Sequence, residues 1–132
     1  MANMKCSTKV PPCYLKAHEM WGVTMDSGVV FTYGDTCHCK DGFIPDWLEA
    51  HEIVHSRQQT NPEEWWNRYF EDVNFRLSQE LEAYQEQYKW IKRHVKDRNS
   101  CARWLNKFAS DLSSPMYGGI ITYSEALKAI HG

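Results

Sequence analysis

Residues 63–98 contain neither proline nor glycine, and this uninterrupted stretch restricts the fold of the chain more than any other feature. Its amino acids are types that favour helices, so we expect either one long helix or two shorter ones. The least helix-like part is residues 72–75, which is where two helices would separate. Just before the stretch, Asn61 and Pro62 supply an N-cap and a proline at the first helical position, which together indicate a helix start.

Short β-rich runs precede this helical stretch. Residues 22–25 and 29–33 lie on either side of a turn at residues 26–28, and this arrangement predicts a β-hairpin. Residues 37–42 are typical of a loop or a short further strand.

Other helices are indicated by their start signals. Pro45 is well placed as the first residue of a helix over residues 45–59. A short helix is expected over residues 99–112, and a capping box formed by Thr122 and Glu125 opens a last helix. A small hairpin followed by several helices predicts the α+β class.

Length, charge and hydropathy limit the kind of protein this can be. At 132 residues, the chain is expected to form one domain, residues 1–132, in which residues 1–20 have little regular structure. The formal net charge is −2, with no long run of one sign, so we expect no binding to nucleic acid or to an anionic membrane. No apolar run is long enough for a membrane span or signal peptide, which favours a cytoplasmic protein.

The cysteine pattern also favours a reducing compartment. The chain has five cysteines, an odd number whose spacing does not form an evenly bridged framework. Cys37-His38-Cys39 has two candidate metal ligands one residue apart. A thiolate zinc site there would need the distant Cys6 and Cys13, and ordinary reduced cysteines are the simpler interpretation.

The segment His51-Glu52-Ile53-Val54-His55 gives the strongest indication of chemistry. On a helix, His51 and His55 project from one face about one turn apart and can share a metal ion through ring nitrogens, a geometry that suits zinc. Glu52 lies about 100° round the helix, where a carboxylate beside the metal can accept a proton from water. Two core histidines satisfied by backbone groups are the alternative.

Glu80 is the candidate for a third ligand. On a helical wheel it borders an apolar stripe that includes Leu77 and Tyr84, whereas Glu82 faces away from that stripe and is expected in solvent. A buried carboxylate is rare unless it is paired or binds a metal, so Glu80 needs a cation. A buried ion pair with Arg76 on the same helix is the alternative.

These residues resemble the zincin metallopeptidases, and within them the gluzincin branch. Residues 51–58 are similar to a His-Glu-x-x-His-x-x-Gln form of small peptidase-like proteins in bacteria and their phages. Residues 80–83 resemble the second gluzincin motif, a glutamate followed three positions later by a small residue. The resemblance covers roughly residues 22–90.

The resemblance implies a minimal zincin-like domain, with a small sheet, an active-site helix and several further helices. It implies a Zn²⁺ cofactor held by His51, His55 and Glu80, and it makes Glu52 the general base and acid. The expected function is therefore a zinc metallopeptidase acting on peptide or protein substrates.

Three departures limit the resemblance. Tyr84 stands where many gluzincins have an aspartate that orients a ligand histidine, so the group that orients the histidines is unassigned. Gln58 and Asn61 replace the glycine and the third histidine of the metzincin pattern. No residue matches the oxyanion-steadying side chain of larger relatives, for which Tyr84, His94 and Tyr117 are candidates.

Two other functions fit the same residues. One is a non-catalytic zincin-like module in which the metal braces the fold and the surface binds a protein partner, as suits a phage or toxin-associated component. The other is a metal-free helical interaction protein, which added zinc would not stabilise. If the protein is a peptidase, a strand at residues 29–33 at a sheet edge would hold an extended peptide as an additional strand.

Overall fold

The computed structural model describes residues 4–132, and the chain divides into two compact units, Met1–Glu71 and Asp72–Gly132. The described residues form six α-helices and one three-stranded mixed sheet, so the predicted α+β class is confirmed. The single domain expected over residues 1–132 stays a prediction.

The first unit combines the sheet with three helices. Its strands and helices are β1 (Lys5–Ser7), α1 (Tyr14–Trp21), β2 (Phe31–Tyr33), β3 (Thr36–His38), α2 (Asp46–Gln58) and α3 (Pro62–Glu71). Within the sheet, β3 is central and pairs in parallel with β1 and antiparallel with β2. Helix α2 contacts β2, so the helix that carries the two histidines lies against an edge strand.

The N-terminal segment has more regular structure than we expect from its sequence. The prediction of little regular structure in residues 1–20 is wrong for β1 and for α1, although residues 1–3 lie outside the described residues. Strand β1 has only three residues, too few to show a hydrophobic period, and it forms through its pairing with β3. Helix α1 ends at Gly22, whose φ of 67° suits a glycine C-cap.

The hairpin is also displaced from its predicted position. The prediction of paired strands at residues 22–25 and 29–33 is wrong, because β2 pairs with β3 across the two-residue turn Gly34-Asp35. Gly34 has a φ of +63°, which glycine adopts without strain. Met25–Ser27 forms a 3₁₀ helix instead, and reciprocal hydrogen bonds between Thr24 and Ser27 cap it.

The helix boundaries follow the predicted caps closely. Pro45 is the N-cap of α2, so the helix begins at Asp46, one residue later than predicted. The Asn61 side chain accepts a hydrogen bond from the Glu64 amide at the start of α3, as the sequence indicates. Helix α3 ends at Glu71, and the Asp72 side chain caps the next helix by accepting from the Phe75 amide. The two-helix alternative for residues 63–98 is therefore the correct one.

The core of the first unit is an aromatic cluster. Its members pack as edge-on, tilted and stacked pairs with ring centroids 4.9 to 6.4 Å apart, a range in which such pairs add to simple burial. The contributing side chains are Tyr14, Trp21, Phe31, Trp65, Trp66, Tyr69 and Phe70. These rings join α1, β2 and α3, and so hold the sheet against the helices.

The second unit is entirely helical among its described elements. It contains α4 (Val73–His94), α5 (Arg98–Leu112), a 3₁₀ helix (Pro115–Tyr117) and α6 (Tyr123–His131). The capping box of Thr122 and Glu125 forms as predicted, whereas α5 starts at an Asp97 cap rather than at residues 99–100. The core between these helices includes Ile91, Leu105, Phe108, Leu112, Ala126 and Ile130. Within residues 4–132, no helix has the length and apolar character needed to cross a bilayer.

Candidate metal centre

The two motif histidines meet on the buried face of α2. His51 and His55 are 4% and 5% exposed, and their Nε2 atoms are 3.2 Å apart. Two nitrogens that each bind a tetrahedral zinc at about 2.05 Å are separated by about 3.3 Å. We call these two side chains the imidazole pair. Their geometry suits a shared ion, and equally a direct hydrogen bond in which His51 Nε2–H donates to His55 Nε2.

Gln58 orients one ring of the imidazole pair. His55 Nδ1 is 2.8 Å from Gln58 Oε1, and because an amide oxygen only accepts, Nδ1 carries the proton. The neutral ring then has its lone pair on Nε2, the atom that faces His51. The sequence motifs alone do not assign this orienting group. The signal was present, because Gln58 lies three residues after His55, within reach on the same helix.

Glu52 is held by the neighbouring strand. The carboxylate is 6% exposed, and its Oε1 accepts a hydrogen bond of 2.9 Å from the Thr32 hydroxyl on β2. Among residues 4–132, no group donates to the other oxygen, Oε2. One oxygen of the proposed base is therefore fixed and the other remains able to accept a proton. Thr32 was not predicted as a site residue, since its contact with Glu52 depends on how the sheet packs against α2.

The outer edge of β2 is already occupied at Thr32. The Thr32 carbonyl accepts hydrogen bonds from Gln59 Nε2 at 2.8 Å and from Trp66 Nε1 at 3.0 Å. Gln59 Oε1 also accepts from the Gly34 amide at 2.7 Å. The Gln59 amide thus bonds to β2 much as a neighbouring peptide group would. Strand β2 is an edge strand, as the expected peptide-binding mode requires, but a peptide cannot pair at Thr32 without displacing these side chains.

Glu80 belongs to the second unit. It is 4% exposed on α4, and Glu82 is exposed, so the predicted difference between the two glutamates is confirmed. Arg76, the partner in the alternative interpretation, is also buried one turn earlier on the same helix. A buried carboxylate requires a positive partner, so a metal ion and an arginine remain the two alternatives for Glu80.

The three candidates for steadying an oxyanion, Tyr84, His94 and Tyr117, lie at different places in the second unit. Tyr84 is buried one turn after Glu80, and its hydroxyl is 2.9 Å from the Tyr117 hydroxyl. His94 is exposed at the end of the helix, stacked on Trp90, with Nδ1 bonded to the Trp90 carbonyl. At about 1.5 Å per residue, His94 is about 21 Å along α4 from Glu80. Tyr84 and Tyr117 therefore stay candidates, and His94 does not.

Comparisons of the chain with family models, with curated proteins and with solved structures found no match.

Proposed function

We propose that this protein is a zinc-dependent metallopeptidase in which His51, His55 and Glu80 hold the metal and Glu52 is the general base. The observation that carries the proposal is the imidazole pair, whose Nε2 atoms are 3.2 Å apart on a buried helix face. Two imidazoles and one carboxylate leave a fourth position open, which is the ligand set of catalytic zinc rather than of structural zinc.

The donors fit zinc in their chemistry as well as in their spacing. Gln58 fixes the tautomer of His55 that presents Nε2, and all three proposed ligands are buried. Burial of three such polar groups is costly unless each has a partner, and a shared cation would satisfy all of them. When bound in such a site, zinc lowers the pKa of a water towards neutrality and polarises a carbonyl group.

Glu52 performs the proton transfers in this proposal. Its Oε1 is fixed by the Thr32 hydroxyl, so Oε2 is the atom that accepts a proton from the attacking water. The same oxygen then donates that proton to the nitrogen of the leaving amine. A base that is held by a strand keeps its position between these two steps, and this is the contribution expected of Thr32.

A non-catalytic zinc module is the second candidate, and one observation favours it. The carbonyl of Thr32, through which an added peptide would pair with β2, is bonded to Gln59 and Trp66. A chain with this edge permanently closed would retain its metal but lack the usual way of holding an extended peptide. The metal-free alternative is favoured if the purified protein contains no divalent ion.

The test measures metal content and peptide cleavage together. Cleavage of a mixed peptide library is followed by mass spectrometry in wild type, Glu52→Gln, Glu80→Gln and the control Glu82→Gln, which alters an exposed glutamate. We expect Glu52→Gln to retain the wild-type zinc content and lose at least about 100-fold in activity, because general base catalysis contributes that much. Glu80→Gln should lose one zinc, and the control should change neither.

Each result decides a part of the proposal. Zinc without any turnover in wild type supports the non-catalytic module, and undiminished cleavage by Glu52→Gln removes Glu52 from its role. If Glu80→Gln retains its zinc, Glu80 is not a metal ligand, and the ion pair with Arg76 is the better explanation of its burial.

A further inference from the structure

Three cysteines of the first unit lie together, away from any role in the proposed peptide hydrolysis. The sulfur atoms of Cys6, Cys37 and Cys39 are all within 4.8 Å of one another, and the last two residues are 0% and 4% exposed. We call these residues the thiol cluster. Cys13, which the sequence offered as a further ligand, is buried elsewhere and is not part of this group.

The sheet explains why these three side chains meet. Cys39 directly follows β3, and its amide continues the pairing by donating to the Ser7 carbonyl at 2.9 Å. In this extended segment side chains two residues apart point to the same side, so Cys37 and Cys39 share one face and His38 takes the other. His38 Nδ1 is accordingly bonded to the Lys9 carbonyl, at 2.8 Å. Cys6 is the register partner of Cys37 in the parallel pair of β1 and β3, which places its thiol beside them.

A buried carboxylate is bonded to the main chain two residues before Cys6. Glu49 on α2 is 6% exposed, and its Oε2 accepts a hydrogen bond from the Met4 amide at 2.9 Å. Within residues 4–132, its Oε1 has no hydrogen-bond partner. Burial, then Cys39 and to a smaller extent this carboxylate, raise the pKa of the Cys6 thiol. A buried carboxylate oxygen without a partner indicates a missing cation.

We propose that the thiol cluster is a second zinc site, in which Cys6, Cys37 and Cys39 bind through sulfur and Glu49 Oε1 is the fourth donor. Structural zinc is four-coordinate and accepts thiolate and carboxylate ligands together. Zn–S bonds of about 2.3 Å place the sulfur atoms about 3.8 Å apart, so the three thiols need to approach one another only slightly. Glu49 Oε1 is outside the group of atoms that lie within 4.8 Å of one another, so this carboxylate has to move toward the sulfur atoms as the ion binds. Each thiol releases its proton to solvent as its sulfur binds the ion, and no oxidation or reduction takes place.

This site would brace the sheet rather than act on a substrate. Its ligands come from β1, from the β3 segment and from α2, so one ion would connect the N-terminal strand to the helix that carries the imidazole pair. All four coordination positions are filled by protein, which leaves none for a reacting water.

Cobalt substitution separates this site from the imidazole pair. The protein is stripped with a chelator under reducing conditions and loaded with Co²⁺, which gives a near-ultraviolet charge-transfer band only when sulfur is a ligand. We expect the band in wild type, in His51→Ala and in the buried-cysteine control Cys13→Ser. We expect the band to weaken in Cys37→Ser and in Cys6→Ser, because each variant keeps only two of the three sulfur ligands. The second variant alters a half-buried position and guards against a folding failure at the fully buried Cys37.

Zinc content measured on the same set gives an independent readout. Cys6→Ser should contain one zinc per chain fewer than wild type, and His51→Ala should also contain one fewer, because each variant affects a different site. No sulfur band in wild type, or a band of undiminished intensity in both cluster variants, would overturn the second site. Loss of zinc only in the cysteine variants would support the thiol cluster and count against the imidazole site, so the two proposals fail separately.

Discussion

The imidazole pair and the thiol cluster belong to the same unit, but different levels of structure bring their donor atoms together. His51 and His55 are four residues apart on α2, so one helical turn is enough to place their nitrogens 3.2 Å apart. The thiol cluster forms only when β1 pairs with β3 across a segment that contains α1 and β2. Binding at the cluster should therefore be coupled to formation of the sheet, and binding at the pair chiefly to α2.

The partners of the two groups differ in the same way. Side chains orient the first group, since Gln58 bonds to His55 and Thr32 bonds to Glu52. The cysteine thiols have main-chain acceptors, among them the carbonyls of Met4 and Phe43, in addition to one another. Replacement of Gln58 or Thr32 should consequently weaken the site at the imidazole pair and leave the thiol cluster intact.

The largest effect is expected from His55→Ala, which removes a proposed ligand from one site only. Without the metal's contribution, peptide cleavage should fall by about 1,000-fold or more, equal to about 4 kcal/mol of transition-state stabilisation. The zinc content should fall by one ion, and the sulfur-to-cobalt band of the thiol cluster should persist. His38→Ala is the control, because that ring lies beside the cluster but bonds to the Lys9 carbonyl. A cobalt band lost with His55 would show that the two sites are not independent.

The imidazole pair is easier to recognise in the sequence than the thiol cluster, because a single helix forms the first and the pairing of distant strands forms the second. His51, Glu52 and His55 form a pattern within five residues, and any helix gives it the same geometry. Cys6 carries no such signal, because its partner on β3 is distant in sequence and the parallel register between them cannot be deduced from either segment. The sequence therefore predicted the imidazole pair and left the thiol cluster as the less favoured interpretation.

The displaced hairpin has a similar local cause. Residues 22–33 have the composition of two strands, but the side chains of Thr24 and Ser27 hydrogen-bond to each other's main chain and form a 3₁₀ helix instead. Such short polar side chains compete with strand pairing for backbone groups. Caps were more reliable guides in the helices, as at Asn61 and Thr122, because each cap acts within one turn.

An intermediate effect is expected from Gln58→Leu, which removes the acceptor of His55 Nδ1 but keeps the side chain's size. Loss of a group that orients a metal ligand typically costs 10- to 100-fold in metal affinity, and we expect a weakening of about that size, measured by competition with a chromogenic chelator. Arg57→Ala, at the adjacent exposed position, is the control. Unchanged affinity would mean that the hydrogen bond does not set the ring's orientation. Side-chain partners would then not be what distinguishes the imidazole pair from the thiol cluster.

The smallest effect, and the most informative, is expected from Thr32→Val, because Thr32 faces both groups. Its hydroxyl bonds to Glu52, and its register partner across the sheet is Cys37. The regions also meet electrostatically, since burial and then the Glu52 carboxylate raise the pKa of the Cys37 thiol. Valine has the shape of threonine without the donor, and the main-chain bonds of residue 32 do not depend on the side chain.

If Thr32 acts by positioning Glu52, Thr32→Val should lower kcat about tenfold, equal to about 1.4 kcal/mol, while KM and zinc content stay near wild type. Thr32→Ser keeps a hydroxyl and should recover most of the lost kcat. A merely structural role predicts a different pattern, in which both variants lose stability and kcat falls in proportion to the folded fraction. The cobalt band of the thiol cluster should be the same in all three proteins, because its sulfur ligands are set by strand pairing, which neither substitution disturbs.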